Sequence, residues 1–329
     1  MRPSSVQHVA GKPLQVSLHR LAAFIAVADA GAISRAARDM GLTAPALTKS
    51  VRELERALGA ELFYRTSTGM MLTPAGELFY ARAKVALAEI ALGATEVAEM
   101  NGGPAPRVVV GALPDALNPV LPEAVARRIG AARRGDAGIT LRGGWFDQLS
   151  EQTRVGDVDF FVSAVPEGAM PDGLAMEVLY HDDLVVVARL GHPLAERAAL
   201  TLADLTAFHW VVPTKGTALD QLLRKAFRAE GLSALDSWSE VNPIGSLRAV
   251  VSQSDVVVAT GRLRVRDELS RGLFRELPLR LPAAHHAVGV FYRSHGALSR
   301  PARQLLATLR DVSREYAADD GREAAKPRG

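Results

Sequence analysis

The chain has 329 residues, 48% of them hydrophobic and 23% charged, which excludes wholesale disorder and leaves room for about two domains at roughly 150 residues each. It contains no cysteine, so disulfides, thiolate zinc sites, iron–sulfur clusters and a cysteine nucleophile are excluded, as suits a reducing cytoplasm. The net charge is only +3, but Met1 to Gly76 carries nine Lys and Arg against five acids and the remainder 30 against 31, so the whole positive excess lies in the first quarter.

No uninterrupted apolar run approaches the roughly 20 residues of a membrane helix. The opening stretch, Met1 to Val16, has two prolines and no apolar core of signal-peptide length, and reads as a flexible extension. From Leu18 to Asp29 apolar residues recur at helical spacing, and Gly31 closes this first helix. Ser34 is placed to cap a short second helix ending near Met40. Thr43 then caps a third helix from Ala44 to Leu58, where Pro45 is tolerable in the first turn and Gly59 supplies the stop. Two helices joined so tightly, with a supporting helix before them, form a helix-turn-helix unit. Glu61 to Arg65 and Met70 to Thr73 bracket Ser67-Thr68-Gly69 as a small wing.

Thr73-Pro74 opens a long helix toward Met100. Phe79, Ala83, Ala86, Ile90, Gly93 and Val97 follow steps of four and three along it, a narrow seam suited to pairing with a second copy. Beyond Arg107, short β-rich runs alternate with helical ones, which implies mainly parallel sheets in one large domain or two similar lobes with a cleft between them. The strands are expected at 108–111, 139–142, 159–163, 184–188, 210–213, 256–259 and 288–292, and the residues after Tyr316 as a loose tail.

If Leu47, Val51, Leu54 and Leu58 face the core, then Ala44, Thr48, Lys49 and Arg52 face outward, where they can meet phosphates and base edges in a major groove. Arg65 adds a cation on the wing. The plain alternative is an ordinary solvated helix face, since Glu53 and Glu55 share the helix. His285-His286 and His181-Asp182-Asp183 are read as exposed loop residues rather than metal ligands, and Trp145, Trp210 and Trp238 as core. No glycine-rich phosphate loop and no convergent catalytic set is visible, so an enzyme is not expected.

Phe24-Ile25-Ala26-Val27-Ala28, Ser34-Arg35-Ala36-Ala37, Leu42 to Thr48, Leu54 to Gly59, Leu62 to Thr66 and Leu72 to Gly76 together resemble the DNA-binding domain of LysR-type transcriptional regulators. Gly191-His192-Pro193-Leu194 and Thr201 to Leu205 are similar to the family's effector domain, so the likeness covers about residues 18 to 310. The resemblance implies an α/β chain with a winged helix-turn-helix at 18–76 and a dimerising linker helix at 77–104. It also implies a two-lobed effector domain at 105–316 resembling periplasmic binding proteins, between an extension at 1–17 and a tail at 317–329. By position it assigns DNA contact to Ser34, Arg35, Thr43, Ala44, Pro45, Thr48, Lys49, Arg52 and Arg65. Many members carry Gln where this chain has Ala44 and Arg where it has Lys49, which changes the bases that can be read.

An effector cleft is expected where the turns after strands converge, at Leu113, Pro114 and Asp115, Ser163 and Val165, Thr214, Lys215 and Thr217, and Asn242 and Ile244. Amides near Thr217 would hold a carboxylate, unless Thr217 merely caps its helix. The resemblance further implies promoter DNA, an organic acid or sugar as effector, a dimer and tetramer, RNA polymerase as a partner, a cytoplasmic location and no cofactor. The alternatives are a solute-binding transport protein and a repressor that needs no effector.

Overall fold

The computed structural model describes residues 16–67, 69–103, 107–113, 119–132, 136–232, 237–279 and 285–324, together with 105, 281 and a short pair near the N-terminus. That pair, β1 (His8–Val9) against β2 (Lys12–Pro13), falls within the stretch read as an extension. The chain divides into two compact units, Met1–Val97 with Arg154–Gly156, and Ala98–Thr153 with Asp157–Gly329.

In the first unit α1 (Leu18–Ala30) is capped by the Ser17 side chain and closed by Gly31 in the left-handed region. Helix α2 (Ile33–Asp39) starts at Ala32 with no side-chain cap, so Ser34 lies inside the helix rather than capping it. Helix α3 (Ala44–Leu58) is capped by Thr43, whose side chain accepts from the Ala46 N–H at 3.4 Å, and ends at left-handed Gly59. Ala23, Phe24, Val27, Ala36, Ala37, Leu47, Val51 and Leu54 form the shared core, with Phe24 against Phe63 and Phe79 at 5.3 and 5.5 Å between rings. Each buried Leu or Phe contributes roughly 1.5–3 kcal/mol. The wing is β3 (Phe63–Thr66) paired antiparallel with β4 (Gly69–Leu72). Helix α4 (Pro74–Met100) follows.

The second unit is built on one nine-stranded mixed sheet. In its first lobe β5 (Val108–Ala112) lies parallel to β6 (Ile139–Gly143) and β7 (Phe160–Ala164), with α5 (Val120–Gly130) and α6 (Phe146–Val155) between them. Then β8 runs unbroken from Leu174 to Arg189, 16 residues and more than three times the run expected at 184–188, and it is antiparallel to its neighbours. The second lobe contains α7 (Leu202–Leu205), β9 (Trp210–Val212), α8 (Ala218–Ala229), β10 (Trp238–Glu240), α9 (Ile244–Gln253), β11 (Val257–Gly261), α10 (Arg266–Ser270) and β12 (Phe274–Glu276). The chain returns through β13 (His285–Arg293) to the first lobe and ends in α11 (Arg300–Ala324). That helix continues past Tyr316, where a loose tail was expected, because Val312 and Ser313 are buried and Tyr316 packs against the first-lobe core.

Only Trp210 of the three tryptophans is buried, its indole N–H donating to the Leu205 carbonyl at 3.1 Å; Trp145 and Trp238 are 44% and 52% exposed. His181, His285 and His286 lie in strands β8 and β13 rather than in loops, and His286 is buried.

Candidate functional site

Capping and core packing leave one face of α3 to solvent. Lys49 and Arg52 are exposed on it, Pro45 stands in the first turn, and Ala44 and Thr48 are half-buried. These residues, with Glu53 and Arg56, line a broad concavity of about 680 Å³. The Thr48 hydroxyl donates to the Ala44 carbonyl at 2.8 Å, which commits its proton and leaves its oxygen able to accept.

A second groove of about 360 Å³ lies between α3 and the wing, and it brings together Thr48, Arg52 and Arg65, with Glu55, Glu61 and Tyr64 on the same walls. Glu55 is already engaged, since its Oε1 accepts from the Leu62 N–H at 2.9 Å and ties the start of the wing to α3. The other wing strand is held by Met70, whose N–H donates to the Gly31 carbonyl at 2.8 Å. Gly69 sits at φ +145°, and a Cβ there would collide with that same carbonyl, so glycine is required. Ser34 and Arg35 are exposed at the start of α2, outside both concavities.

In the second unit, strand register shows where the two lobes meet. Strands β9, β10 and β11 are parallel, and β11 ends at Gly261 opposite Leu184 of β8. In the first lobe β7 ends at Ala164 opposite Val288 of β13, three residues from His285, which pairs with Asp183. The carboxyl ends of both sets of parallel strands therefore face the point where β8 changes partners, the usual position of a ligand in such sheets.

At that end Thr214 and Asn242 meet, the hydroxyl donating to the Asn242 side-chain oxygen at 3.1 Å. The Lys215 N–H donates to Glu240 at 3.3 Å and the Gly216 N–H to Asp220 at 2.9 Å. Thr217 caps α8, accepting from the Asp220 N–H at 3.3 Å, and its own N–H goes to the Thr214 carbonyl. Three amides expected to hold an effector carboxylate are thus taken by this loop's own acceptors. Leu113 is buried, its N–H on the Val162 carbonyl at 3.2 Å; Ser163 is buried and donates to the Ala164 carbonyl; Val165 is half-buried, bonded to Ala287. Ile244 begins α9 and packs on the core beneath it. Pro114 and Asp115 lie outside the described residues.

At the partner switch, Asp182 and His286, read from the sequence as exposed loop residues, are buried in strands, and Arg264, which the sequence reading did not single out, is buried beside them. Asp182 is buried, and its Oδ1 accepts from the Asp183 and Leu263 N–H groups at 2.8 and 3.1 Å. His286 pairs with it in register, and burial, opposed by the Asp183 charge, pushes this imidazole down to about 4. Arg264 is buried and donates to the Asn242 carbonyl. Nothing in hydrophobic spacing marks such residues. Among the described residues no three His, Cys, Asp or Glu converge on a possible metal position, and no helix is long and apolar enough to cross a membrane.

The profile of bacterial regulatory helix-turn-helix proteins of the LysR family matches residues 18–77, and that of the LysR substrate binding domain matches residues 101–314. The chain belongs to the LysR-type transcriptional regulators. It is 33% identical over 317 residues to the HTH-type transcriptional regulator GalR of Pseudomonas putida, covering 96% of this chain and 79% of that one. It is 27% identical over 301 residues to PcaQ of Agrobacterium fabrum, covering 92% and 96%. Among solved structures it resembles ArgP from Mycobacterium tuberculosis, with TM-score 0.68 at 20% identity and 91% and 98% of the two chains covered. It also resembles CbnR complexed with its target DNA, with TM-score 0.58 at 17% identity and 90% and 100% covered. This LysR-type regulator thus joins a DNA-binding head to an effector-binding domain.

Proposed function

We propose that this LysR-type regulator reads an interrupted inverted repeat in promoter DNA through Thr43, Ala44, Pro45, Thr48, Lys49 and Arg52 of the α3 region. Arg65, Ser34 and Arg35 add contacts to the flanking backbone. The observation that carries this reading is the single groove shared by Thr48, Arg52 and Arg65, which sets cations on both walls of a channel between recognition helix and wing. Two-fold pairing of heads through α4 would mirror the symmetry of the site. In support, Ile90 and Val97 of its seam are 47% and 58% exposed in one chain, whereas Ala83 is buried in the head.

A small organic acid or sugar in the cleft would shift the placement of paired heads within a dimer of dimers, and RNA polymerase would read the outcome. Thr214 and Asn242 are the polar pair best placed to meet it. The reading includes a cytoplasmic protein without catalytic activity, consistent with the regulators among its relatives.

A gel-shift titration with the DNA upstream of its own gene, at low salt, tests the proposal. Retardation at nanomolar protein is expected; no retardation beyond that of scrambled DNA overturns it.

A further inference from the structure

A pocket of about 370 Å³ lies in the first lobe, remote in sequence from every cleft residue assigned above, where β13 runs into α11. Tyr292, Leu298 and Leu306 give it an apolar wall, and Arg293, Arg303 and Arg310 give it three guanidinium groups. Arg303, Leu306 and Arg310 recur at steps of three and four and so share one face of α11.

Two of these cations are held in place with donors to spare. Arg310 Nε and Nη2 bind the Glu177 carboxylate at 2.9 and 2.6 Å, and Arg303 Nη1 donates to the Leu298 carbonyl. Among the described residues, Arg310 Nη1 and Arg303 Nη2 donate to no protein acceptor. Glu177 is committed to Arg310, and the Asp159 carboxylate, which burial pushes up and the Arg293 charge opposes, accepts from the Val109 N–H at 2.8 Å. The described residues that line the pocket include these three arginines and no acid. Pre-oriented guanidinium forks beside an apolar wall suit an organic oxyanion, because charge-assisted bonds supply orientation and the wall takes the carbon skeleton.

We propose that this pocket is a second small-molecule site, one that binds a carboxylate- or phosphate-bearing anion through Arg303 and Arg310. It is separate from the cleft between the lobes. The reading depends neither on the DNA contacts nor on the cleft ligand.

Calorimetry on the full chain at low ionic strength, with citrate as the carboxylate probe and inorganic phosphate as the phosphate probe, tests it. At least one probe is expected to bind, with affinity falling about tenfold in Arg303→Gln, the loss of one charge-assisted bond. Arg303→Lys should fall between the two, since it keeps the charge without the fork. Circular dichroism of each variant establishes that it folds. Thr214→Val, in the cleft, should leave probe binding unchanged. The proposal is overturned if neither anion binds, if Arg303→Gln binds as the unaltered chain does, or if Thr214→Val abolishes the binding.

Discussion

Arg20 Nη2 donates to Glu53 Oε2 at 2.8 Å, an ion pair that fastens the supporting helix α1 to the recognition helix α3. Both side chains are more than a quarter exposed, so the pair contributes on the order of 1 kcal/mol or less to stability. Its larger effect is electrostatic, because Glu53 also lines the concavity beneath which DNA would lie. Arg20→Ala is therefore expected to weaken operator binding severalfold by leaving that carboxylate uncompensated. Adding Glu53→Ala should restore most of the loss, and a double-mutant cycle in a DNA-binding titration measures the coupling.

Lys49 and Arg52 are exposed cations on the same face. Lys49→Ala and Arg52→Ala should each lower the slope of log affinity against log salt by about one, as expected when one phosphate contact is removed. Fluorescence anisotropy at four salt concentrations reads this slope. Sedimentation of each variant should show an unchanged oligomer, since neither residue lies on α4.

At the junction of the lobes, a Cβ on Gly261 would come within 2.6 Å of Asp182 Oδ2. The Asp182 carboxylate is fixed by two backbone amides and cannot swing away freely. Gly261→Ala should cost about 1–3 kcal/mol, the usual penalty for overpacking. Urea denaturation followed by tryptophan fluorescence tests this through Trp210, which is buried in the second lobe.

His286 gives the protein a defined acid sensitivity. Burial is the main cause of its low value, and His181 and His285 push the same way, whereas the Asp183 charge opposes them. Above pH 6.5 the imidazole is neutral in both states and contributes no pH dependence. Between 6.5 and about 4 the unfolded chain takes up the proton and the folded one does not, so stability falls with pH. Below about 4 both states are protonated and the loss levels off at roughly 3 kcal/mol. His286→Gln should flatten this part of a stability profile between pH 7 and pH 4. Retention of the full slope would assign it to other groups, among them His192, whose burial shifts it in the same direction.

Helices α1 and α3 of the head were legible because each combines an apolar period with a terminal glycine or hydroxyl cap, as Gly31, Thr43 and Gly59 do. Ser34 misled because a hydroxyl near a helix start is only a candidate cap; φ −153° and ψ 132° at Ala32 mark the residue that occupies the position. In β8 the segment Leu174–Asp183 mixes Glu177, His181, Asp182 and Asp183 among apolar residues, so neither alternation nor an apolar run announced a strand that gains its stability from β13. The three-residue strands β10 and β12 are too short to carry a period. In the cleft, the turns after strands could be located from topology alone. That Asp220 and Glu240 accept the loop's amides could not, because those bonds depend on side chains four and 25 residues away from their donors.

The first lobe is completed late in synthesis. Apart from Leu263, its core takes Val108 to Tyr180 from one side of the second lobe and Val288 to Val312 from the other, with β13 inserted between β7 and β8. A nascent chain has to emerge as far as α11 before that sheet can close, whereas the second-lobe core lies within Leu184–Leu277 and is contiguous. On the ribosome, where earlier segments fold first, the inner lobe in sequence is thus finished before the outer one. A polypeptide truncated ahead of His285 would carry a folded second lobe beside an open first-lobe sheet, with the β7 and β8 edges unpaired and prone to aggregate.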